Sequence, residues 1–279
     1  MRSRRSGSWT IGRPRRCAGV FSAWLVAGEG NWRQPVCAAG GGVDTSLVVR
    51  NPNAHTGLYF ITYSEAGHQF TYHRKGSAAS RMGPDDVPAD SIARAKLLHV
   101  SGISQAISDT ACDAVFRAID VARANGVKVS YDPNLRLKLW PLARARAVIH
   151  ATAVLADLFL PSFEDAVQLT GLQDPHAIAD YYLALGVKLV ALKLGQDGVL
   201  VATRDERHVL PGFAVETVDT TGAGDTFDGA FVTQWLGGAD LVTAARYANA
   251  AAALSTTGHG AVAPIPRAAE VRAFLESRA

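Results

Sequence analysis

Residues 219–231 read "DTTGAGDTFDGAF", a run of small and hydroxyl-bearing residues that leads directly into an apolar stretch. Gly222, Ala223 and Gly224 precede apolar residues at helical spacing, so a helix is predicted to begin at this turn. The first turn of a helix leaves backbone N–H groups unpaired and carries the positive end of the helix dipole. We therefore expect these amides to form an anion site that suits a phosphate group.

Asp225 falls in the first turn of the predicted helix, next to the expected anion site. A carboxylate in that position can accept a proton from a hydroxyl that attacks a phosphoryl group. Phosphoryl transfer needs little more from a protein than positioning and charge neutralisation. Taken alone, "GAGD" also fits an ordinary helix N-terminus with a favourable first-turn acid. The stretch lacks the GxxxxGK[ST] pattern of a P-loop and the third glycine of a dinucleotide fingerprint, which excludes both of those sites.

At its full length the stretch resembles the C-terminal signature of the ribokinase-like (PfkB) carbohydrate kinases. The resemblance extends over about residues 43–279 and includes "LKLGQDGVL" (192–200) and "ANAAAALSTTGHGAVAPIP" (248–266). It implies that Asp225 is the catalytic base and that the amides of Gly222, Ala223 and Gly224 form the anion hole. It also implies ATP as the phosphoryl donor and Mg²⁺ as the cation that bridges the phosphates.

The resemblance further implies nucleotide and cation sites. The nucleotide contacts would come from Ser162, Lys193, Gly195, Gly222, Gly224, Asn249 and Gly258, the last in the loop 258–261. Asp219 matches the acid that family members place near a monovalent cation, which makes K⁺ a second expected cation. An Asn-x-x-Glu motif that is frequent in the family is replaced here by residues 162–165, "SFED". Asp165 can still hold Mg²⁺ through water, although these residues also fit a simple helix cap.

Residues 56–80 read "TGLYFITYSEAGHQFTYHRKGSAAS", and their alternation of bulky and polar residues predicts a β-hairpin. The segment resembles the lid hairpin (about residues 57–76) of 2-keto-3-deoxygluconate kinases, which phosphorylate the terminal hydroxyl of that sugar acid. The resemblance implies substrate contacts from Tyr59, Tyr72 and Ile103. Arg74 and Arg136 are guanidinium groups of the kind that bind a carboxylate with two hydrogen bonds. Solvated arginines and packed cross-strand tyrosines are the alternative interpretation of the hairpin.

From residue 43 onward, apolar strands alternate with amphipathic helices. This order predicts βαβ units, a mainly parallel sheet and helices on both of its faces. The prediction agrees with the α/β fold that the resemblance implies, a three-layer αβα sandwich with a small hairpin lid. The segments "SGI", "DPNLR", "PSFED" and "LKLG" each follow a predicted strand. We expect them to meet at the carboxyl edge of the sheet, where ligands bind.

The first 42 residues differ in character from the rest of the chain. They contain seven Arg and one Glu, whereas the remaining residues carry 21 basic and 24 acidic side chains. They do not match the family pattern, which places a Gly-Gly…Asn sugar-binding motif early in the chain. We therefore expect the N-terminal part of the fold to be missing or replaced by a disordered or mistranslated segment. On that expectation, the chain would fold poorly or bind its substrate weakly. A signal peptide and a basic arm for nucleic acid are the less favoured alternatives.

Composition restricts the functional class. With 48% hydrophobic and 19% charged residues and a mildly acidic body, the chain does not resemble a nucleic-acid-binding protein. It has no apolar run long enough for a bilayer. Its three cysteines lack metal-ligand spacing and favour a reducing cytoplasm. Together with this composition, the family resemblance implies a cytoplasmic, homo-oligomeric kinase that uses ATP to convert 2-keto-3-deoxygluconate to its 6-phosphate. A fructokinase or other ketose kinase stays open, as does a nucleotide-binding remnant without turnover.

Overall fold

A computed structural model of the chain describes residues 20–22, 27–29, 44–64 and 67–278. The strands are β1 (Val20–Ser22), β2 (Ala27–Glu29), β3 (Arg50–His55), β4 (Leu58–Ser64), β5 (Gly67–His73), β6 (Leu97–Ser101), β7 (Lys128–Asp132), β8 (Leu158–Phe159), β9 (Val190–Lys193), β10 (Val199–Ala202) and β11 (Arg207–Leu210). The helices are α1 (Ala89–Ala93), α2 (Gly102–Ala106), α3 (Asp109–Ala124), α4 (Leu142–Ala153), α5 (Phe163–Thr170), α6 (Pro175–Leu185), α7 (Ala223–Leu236), α8 (Leu241–Ser255) and α9 (Ala268–Glu276). None of the helices in these ranges is long and apolar enough to cross a membrane.

The ends of the helices follow from local capping chemistry. Helix α3 begins after Ser108, whose hydroxyl accepts a hydrogen bond from the Ala111 amide at 3.0 Å. Gly126, two residues beyond its last residue, adopts a φ of 69°, as is usual after a helix. The helix predicted to begin at the turn of Gly222, Ala223 and Gly224 is confirmed as α7.

The main sheet contains seven strands within the described part of the chain, in the order β1-β6-β7-β8-β9-β10-β11. The pairings from β1 to β9 are parallel, and β10 and β11 continue the sheet in the antiparallel sense. This arrangement confirms the predicted mainly parallel sheet. The carboxyl ends of β6, β7, β8 and β9 therefore lie side by side along one edge.

Apolar side chains cover both faces of this sheet. Neighbouring strand residues alternate between two clusters, so that Leu98, Phe159 and Leu200 pack on one face and Leu97, Leu158 and Val199 on the other. The first cluster includes residues of α3 to α6, and the second includes residues of α7 and α8. A sheet buried on both sides explains why its strands are almost continuously apolar. The result is the expected three-layer arrangement.

Two short segments of the first 42 residues belong to sheets. Strand β1 pairs in parallel with β6, with Val20 opposite Leu97. Strand β2 pairs in parallel with β3, with Ala27 opposite Arg50. The other residues before 44 lie outside the described part of the chain, so a missing or replaced N-terminal part of the fold stays a prediction.

Strands β4 and β5 form the predicted hairpin as a separate two-stranded sheet. Their antiparallel register runs from the pair Leu58 and His73 to the pair Ser64 and Gly67. Tyr59 lies opposite Tyr72 in this register. Residue 74 follows directly after β5, so the base of the hairpin presents both Tyr72 and Arg74.

Candidate active site

A cavity of about 1160 Å³ lies at the carboxyl edge of the main sheet. Its wall combines residues that follow the parallel strands, the N-terminal turn of α7 and the base of the hairpin. The residues from the sequence predictions that line it are Tyr72, Arg74, Ile103, Arg136, Ser162, Asp165, Lys193, Gly195, Gly222, Ala223, Gly224, Asp225 and Asn249. Segments far apart in the sequence thus meet at one site, as the strand-end argument predicts.

Two predicted residues are not part of the cavity wall, and a third is described only by its position in a strand. Gly258 lies against Pro264, whose Cβ would be 3.0 Å from a Cβ added to the glycine, although nearby Thr256 and Ala261 do line the cavity. Asp219 is buried behind the α7 turn. For Tyr59 the structure describes the place in β4, opposite Tyr72.

The turn before α7 depends on a glycine. Gly222 caps the helix with a φ of 80°, a conformation that side chains disfavour. A Cβ at this position would lie 3.0 Å from the Cβ of Ala261 and 3.1 Å from its carbonyl oxygen. The missing side chain therefore lets the α7 turn pack directly on the loop that follows α8.

The amides of this turn differ in their availability. The N–H of Ala223 donates to the Thr220 carbonyl at 3.1 Å, which corrects the expectation that all three amides face an anion. Within the described residues, no hydrogen bond is formed by the N–H of Gly222 or Gly224. These two groups, at the positive end of α7, are the ones that can bind a phosphate.

Asp219 holds the turn in place from behind. Its Oδ1 accepts hydrogen bonds from the Thr221 amide at 2.9 Å and the Thr221 hydroxyl at 2.7 Å. Its Oδ2 accepts from the Gly260 amide at 2.9 Å. The Asp219 amide in turn donates to the Thr256 carbonyl at 3.1 Å. Asp219 thus ties the two glycine-containing loops together, and the monovalent cation assigned to it stays a prediction.

Asp225 is exposed to the cavity in the first turn of α7. The surrounding protein raises the pKa of its carboxyl above the ordinary value, and the charge of Asp132 adds to this effect. Lys193 and Arg136 oppose the rise. A raised pKa makes the carboxylate a better proton acceptor, provided that it is still ionised at the working pH.

The sequence predictions missed two carboxylates beside Asp225. Both oxygens of Asp228 accept hydrogen bonds from the Lys193 ammonium, at 2.9 and 3.1 Å, and Asp132 Oδ1 lies 3.4 Å from the same nitrogen. Asp228 follows Asp225 by three residues on α7, a spacing that places both on one helix face. Asp132 begins the "DPN" segment at the end of β7. The three-residue spacing of Asp228 from Asp225 and the place of Asp132 at a strand end were the sequence features that could have identified these two carboxylates.

Ser162 and Asp165 form a cap at the start of α5. The Ser162 hydroxyl accepts from the Asp165 amide at 3.1 Å, and Asp165 Oδ2 accepts from the Leu135 amide at 2.9 Å. Burial, supported by the charge of Asp132, raises the pKa of Asp165 to about 6. The cap interpretation is therefore confirmed, while both residues also line the cavity.

The carboxylates present fit a Mg²⁺ that arrives with a nucleotide. No group of three or more metal-binding side chains occurs among the residues that the structure describes. Mg²⁺ commonly keeps several waters and is held by one or two carboxylates together with substrate phosphates. Asp165, with one oxygen bonded to a backbone amide, is a carboxylate of that kind on the cavity wall.

Two arginines, Arg74 at the base of the hairpin and Arg136 after β7, contribute positive charge to the cavity wall. The Arg74 guanidinium carbon lies 5.7 Å from the centre of the Tyr72 ring, which places the two side chains together. Arg136 donates one hydrogen bond to the Leu135 carbonyl at 2.9 Å. It follows Asn134, whose φ of 38° marks a tight turn after β7. Two arginines and one tyrosine thus meet at the same cavity as Asp225.

Asn249 connects helix α8 to the antiparallel end of the sheet. Its Nδ2 donates to the Pro211 carbonyl at 3.0 Å and lies 3.4 Å from the Leu210 carbonyl. Gly195, which follows β9, also lines the cavity and has a φ of 62°. Small and apolar residues such as Phe213, Ala252 and Ala253 line the cavity beside them, which suits a flat base or sugar better than a strongly charged group.

We call the turn of Gly222, Ala223 and Gly224, with its two free amides, the anion turn. The fold, the anion turn and the cavity together define a phosphoryl-transfer enzyme of the α/β class. The pattern of the pfkB family carbohydrate kinases matches residues 38–268. The chain therefore belongs to the pfkB family of carbohydrate kinases.

Named relatives give two substrate classes. The chain is 36% identical to the 2-dehydro-3-deoxygluconokinase of Bacillus subtilis over 241 residues, which cover 85% of this chain and 74% of that protein. It is 34% identical to Fructokinase-1 of Zea mays over 247 residues, which cover 84% of this chain and 76% of that protein. Both are sugar kinases, so the general activity is shared while the substrate differs.

Solved structures confirm the ribokinase-like fold. An E. coli protein assigned as Ribokinase II, in complex with ATP and Mg²⁺, is 29% identical, with a TM-score of 0.83 over 91% of this chain and 83% of that chain. A fructokinase double mutant from Vibrio cholerae, in its fructose, ADP and potassium ion bound form, is also 29% identical, with a TM-score of 0.81 over 90% of this chain and 84% of that chain. ATP and metal ions are thus used within the family.

Proposed function

We propose that this kinase transfers the γ-phosphoryl group of ATP to the terminal hydroxyl of a sugar acid, 2-keto-3-deoxygluconate, to give the 6-phosphate. The observation that carries the proposal is the meeting of Arg74 and Arg136 in the cavity that also holds Asp225. A sugar acid brings a carboxylate, and guanidinium groups bind carboxylates through paired hydrogen bonds. The identity of 36% to a 2-dehydro-3-deoxygluconokinase supports the same substrate class.

In this proposal Asp225 is the general base. Its carboxylate accepts the proton of the sugar hydroxyl as the hydroxyl oxygen bonds to the γ-phosphorus and the bond to ADP breaks. The amides of Gly222 and Gly224 stabilise the negative charge on the transferred group. Tyr72, Ile103 and Tyr59 would position the sugar. Bound Mg²⁺ would neutralise phosphate charge, with Asp165 holding it through water.

The remaining predicted contacts belong to the nucleotide half of the cavity. Ser162, Gly195, Asn249 and the loop that contains Gly258 would surround ATP. Asp219 would order its loop beside K⁺, a proposal that the potassium-bound fructokinase supports by analogy. The same proposal places the kinase in a reducing cytoplasm and in a homo-oligomeric state.

The first test is a substrate panel with ATP and Mg²⁺, with and without K⁺. We expect the kcat/KM for 2-keto-3-deoxygluconate to exceed that for fructose by at least about tenfold, because a bound carboxylate adds a charge-assisted hydrogen bond that fructose lacks. Coupled detection of ADP release measures both rates. Equal turnover of fructose would replace the sugar-acid assignment with a fructokinase, the alternative that the 34% identical relative favours. No turnover of any sugar would favour a nucleotide-binding remnant.

Arg74 provides a second test of the carboxylate. Arg74→Ala is expected to lower kcat/KM for the sugar acid by about 10- to 100-fold, as for loss of a hydrogen bond between charged groups, and to affect a neutral ketose less. Lys75→Ala is the matched control, because Lys75 is the adjacent cation and is exposed outside the cavity wall. Equal losses of kcat/KM for the sugar acid and the ketose would mean that Arg74 supports the structure of the site and does not bind the carboxylate.

A further inference from the structure

Lys193 is a largely buried cation of the cavity wall. Its side chain is 13% exposed, and the carboxylates that it contacts, Asp228 and Asp132, are 3% and 9% exposed. The ammonium contacts both oxygens of Asp228 and one oxygen of Asp132. An ammonium has three N–H donors, so these three contacts can use all of them. A phosphate would have to displace a carboxylate to bind there.

The ammonium also lies close beneath the anion turn. A Cβ added to Gly224 would be 3.7 Å from Lys193 Nζ. Helix α7 supplies Gly224, Asp225 and Asp228 within one turn and a half, so the same helix end carries the free amide, the proposed base and the main partner of Lys193. The geometry couples the position of the cation to the position of the base.

Several charged or titratable groups interact with this ammonium, namely His99 on β6, Asp132 at the end of β7, Asp165 on α5, and Asp225 and Asp228 on α7. Arg136, which follows β7, acts on Asp165 and Asp225. Burial opposes the charge of Lys193, but Asp132 and Asp228 outweigh burial and raise its pKa, which keeps it protonated. Both oxygens of Asp228 contact one ammonium, as an ionised carboxylate would.

We propose that Lys193 is the buried counter-ion of the Asp225 carboxylate, and that Asp228 is a positioning residue that holds this ammonium beneath the Gly222–Gly224 turn. The proposal rests on the proposed function of Asp225 as the general base. It gives Lys193 a task different from the nucleotide contact that the family resemblance implies. It also gives a role to Asp228, which the proposed mechanism does not otherwise use.

The test is the pH dependence of kcat/KM in Lys193→Met. Without the nearby positive charge, Asp225 binds a proton more readily, so the acid limb should move to higher pH. A displacement of about one pH unit corresponds to about tenfold lower kcat/KM at the acid end of the profile. Lys193→Arg, which keeps the charge, should leave the limb near its original position. The KM for ATP should change by less than about threefold, since no N–H donor is left for phosphate.

Two further variants make the test independent of folding. Lys193→Met leaves a buried carboxylate without its partner, and the chain could unfold for that reason. Lys193→Met combined with Asp228→Asn is therefore compared with Asp228→Asn alone, because these two proteins differ only in the ammonium, and the acid limb of the double variant should lie at the higher pH. Lys188→Met is the matched control, because Lys188 pairs with Asp157 at 2.6 Å outside the cavity wall and should leave the limb unchanged.

The outcomes separate this proposal from the function on which it rests. An acid limb at the wild-type pH in folded Lys193→Met, or the same limb in the double variant as in Asp228→Asn, overturns the counter-ion role. So does a KM for ATP that rises tenfold or more while the limb stays in place, which would make Lys193 a nucleotide contact. The proposed function fails on a different result, full activity of Asp225→Asn.

Discussion

Asp225→Asn is expected to lower kcat by about 10²- to 10⁴-fold, the contribution typical of a general base. Asparagine keeps the size of the side chain but cannot accept the proton of the attacking hydroxyl at neutral pH. Because Asp225 is exposed to the cavity and forms no side-chain hydrogen bond with any residue that the structure describes, the substitution should leave the fold intact. Steady-state ADP release at saturating ATP and sugar acid measures the loss.

The KM values show whether Asp225 acts in the chemical step or in substrate binding. An interaction made mainly in the transition state lowers kcat and kcat/KM together and leaves substrate KM almost unchanged. Asp120→Asn is the matched control, since Asp120 is exposed on α3 and does not line the cavity. A rate for Asp225→Asn equal to that of the control would remove Asp225 from the chemistry and leave the anion turn without its base.

Local sequence signals were sufficient for most of the fold. The helix at 223–236 was predictable because small residues precede an apolar helical pattern, and α5 because a hydroxyl at residue 162 precedes two acids. Capping depends on side chains within three residues, so it can be inferred from a short window. Strands buried on both faces are equally visible as apolar runs. The strand-end rule then placed the cavity at the correct edge of the sheet.

Contacts between distant segments were not predictable in the same way. The Lys193 ammonium meets Asp132 and Asp228 across separations of 61 and 35 residues, and no local pattern indicates which buried cation will meet which acid. The family resemblance implied only that Lys193 lies among the nucleotide contacts. Side-chain geometry was needed to show that carboxylates surround it.

The anion turn shows the same limit within a single loop. A helix N-terminus predicts several free amides, but it does not predict which of them the preceding turn uses. Here the Thr220 carbonyl accepts a hydrogen bond from the Ala223 amide, so the amides of Gly222 and Gly224 are the two that can bind an anion. The choice depends on the left-handed conformation of Gly222 and on the way Asp219 holds the loop. The proposed anion hole therefore depends on two loops that pack together, and Gly222 allows a direct test of it.

Gly222→Ala is expected to lower kcat by about 10²- to 10³-fold, as for loss of a donor that stabilises transition-state charge. Alanine at a φ of 80° costs about 1–2 kcal/mol, and its Cβ would start 3.0 Å from the Cβ of Ala261. The turn and the 258–261 loop would have to separate, which moves the two free amides away from the phosphoryl group. Thermal unfolding and steady-state kinetics, both measured on the same preparation, report the two effects.

Gly229→Ala makes the same chemical change about two turns further along α7 and serves as its control. No heavy atom lies within 4 Å of a Cβ added there, and Gly229 has an ordinary helical conformation. That variant should gain about 0.5–1 kcal/mol in the free energy of unfolding, since alanine favours a helix interior, and keep the wild-type kcat. If Gly222→Ala also kept the wild-type kcat at a temperature well below its unfolding midpoint, the amides of this turn could not be the groups that stabilise the transferred phosphoryl. Asp225 enters the cavity from this same turn. The groups that stabilise the phosphoryl charge would then have to lie in another part of the cavity, away from the proposed base.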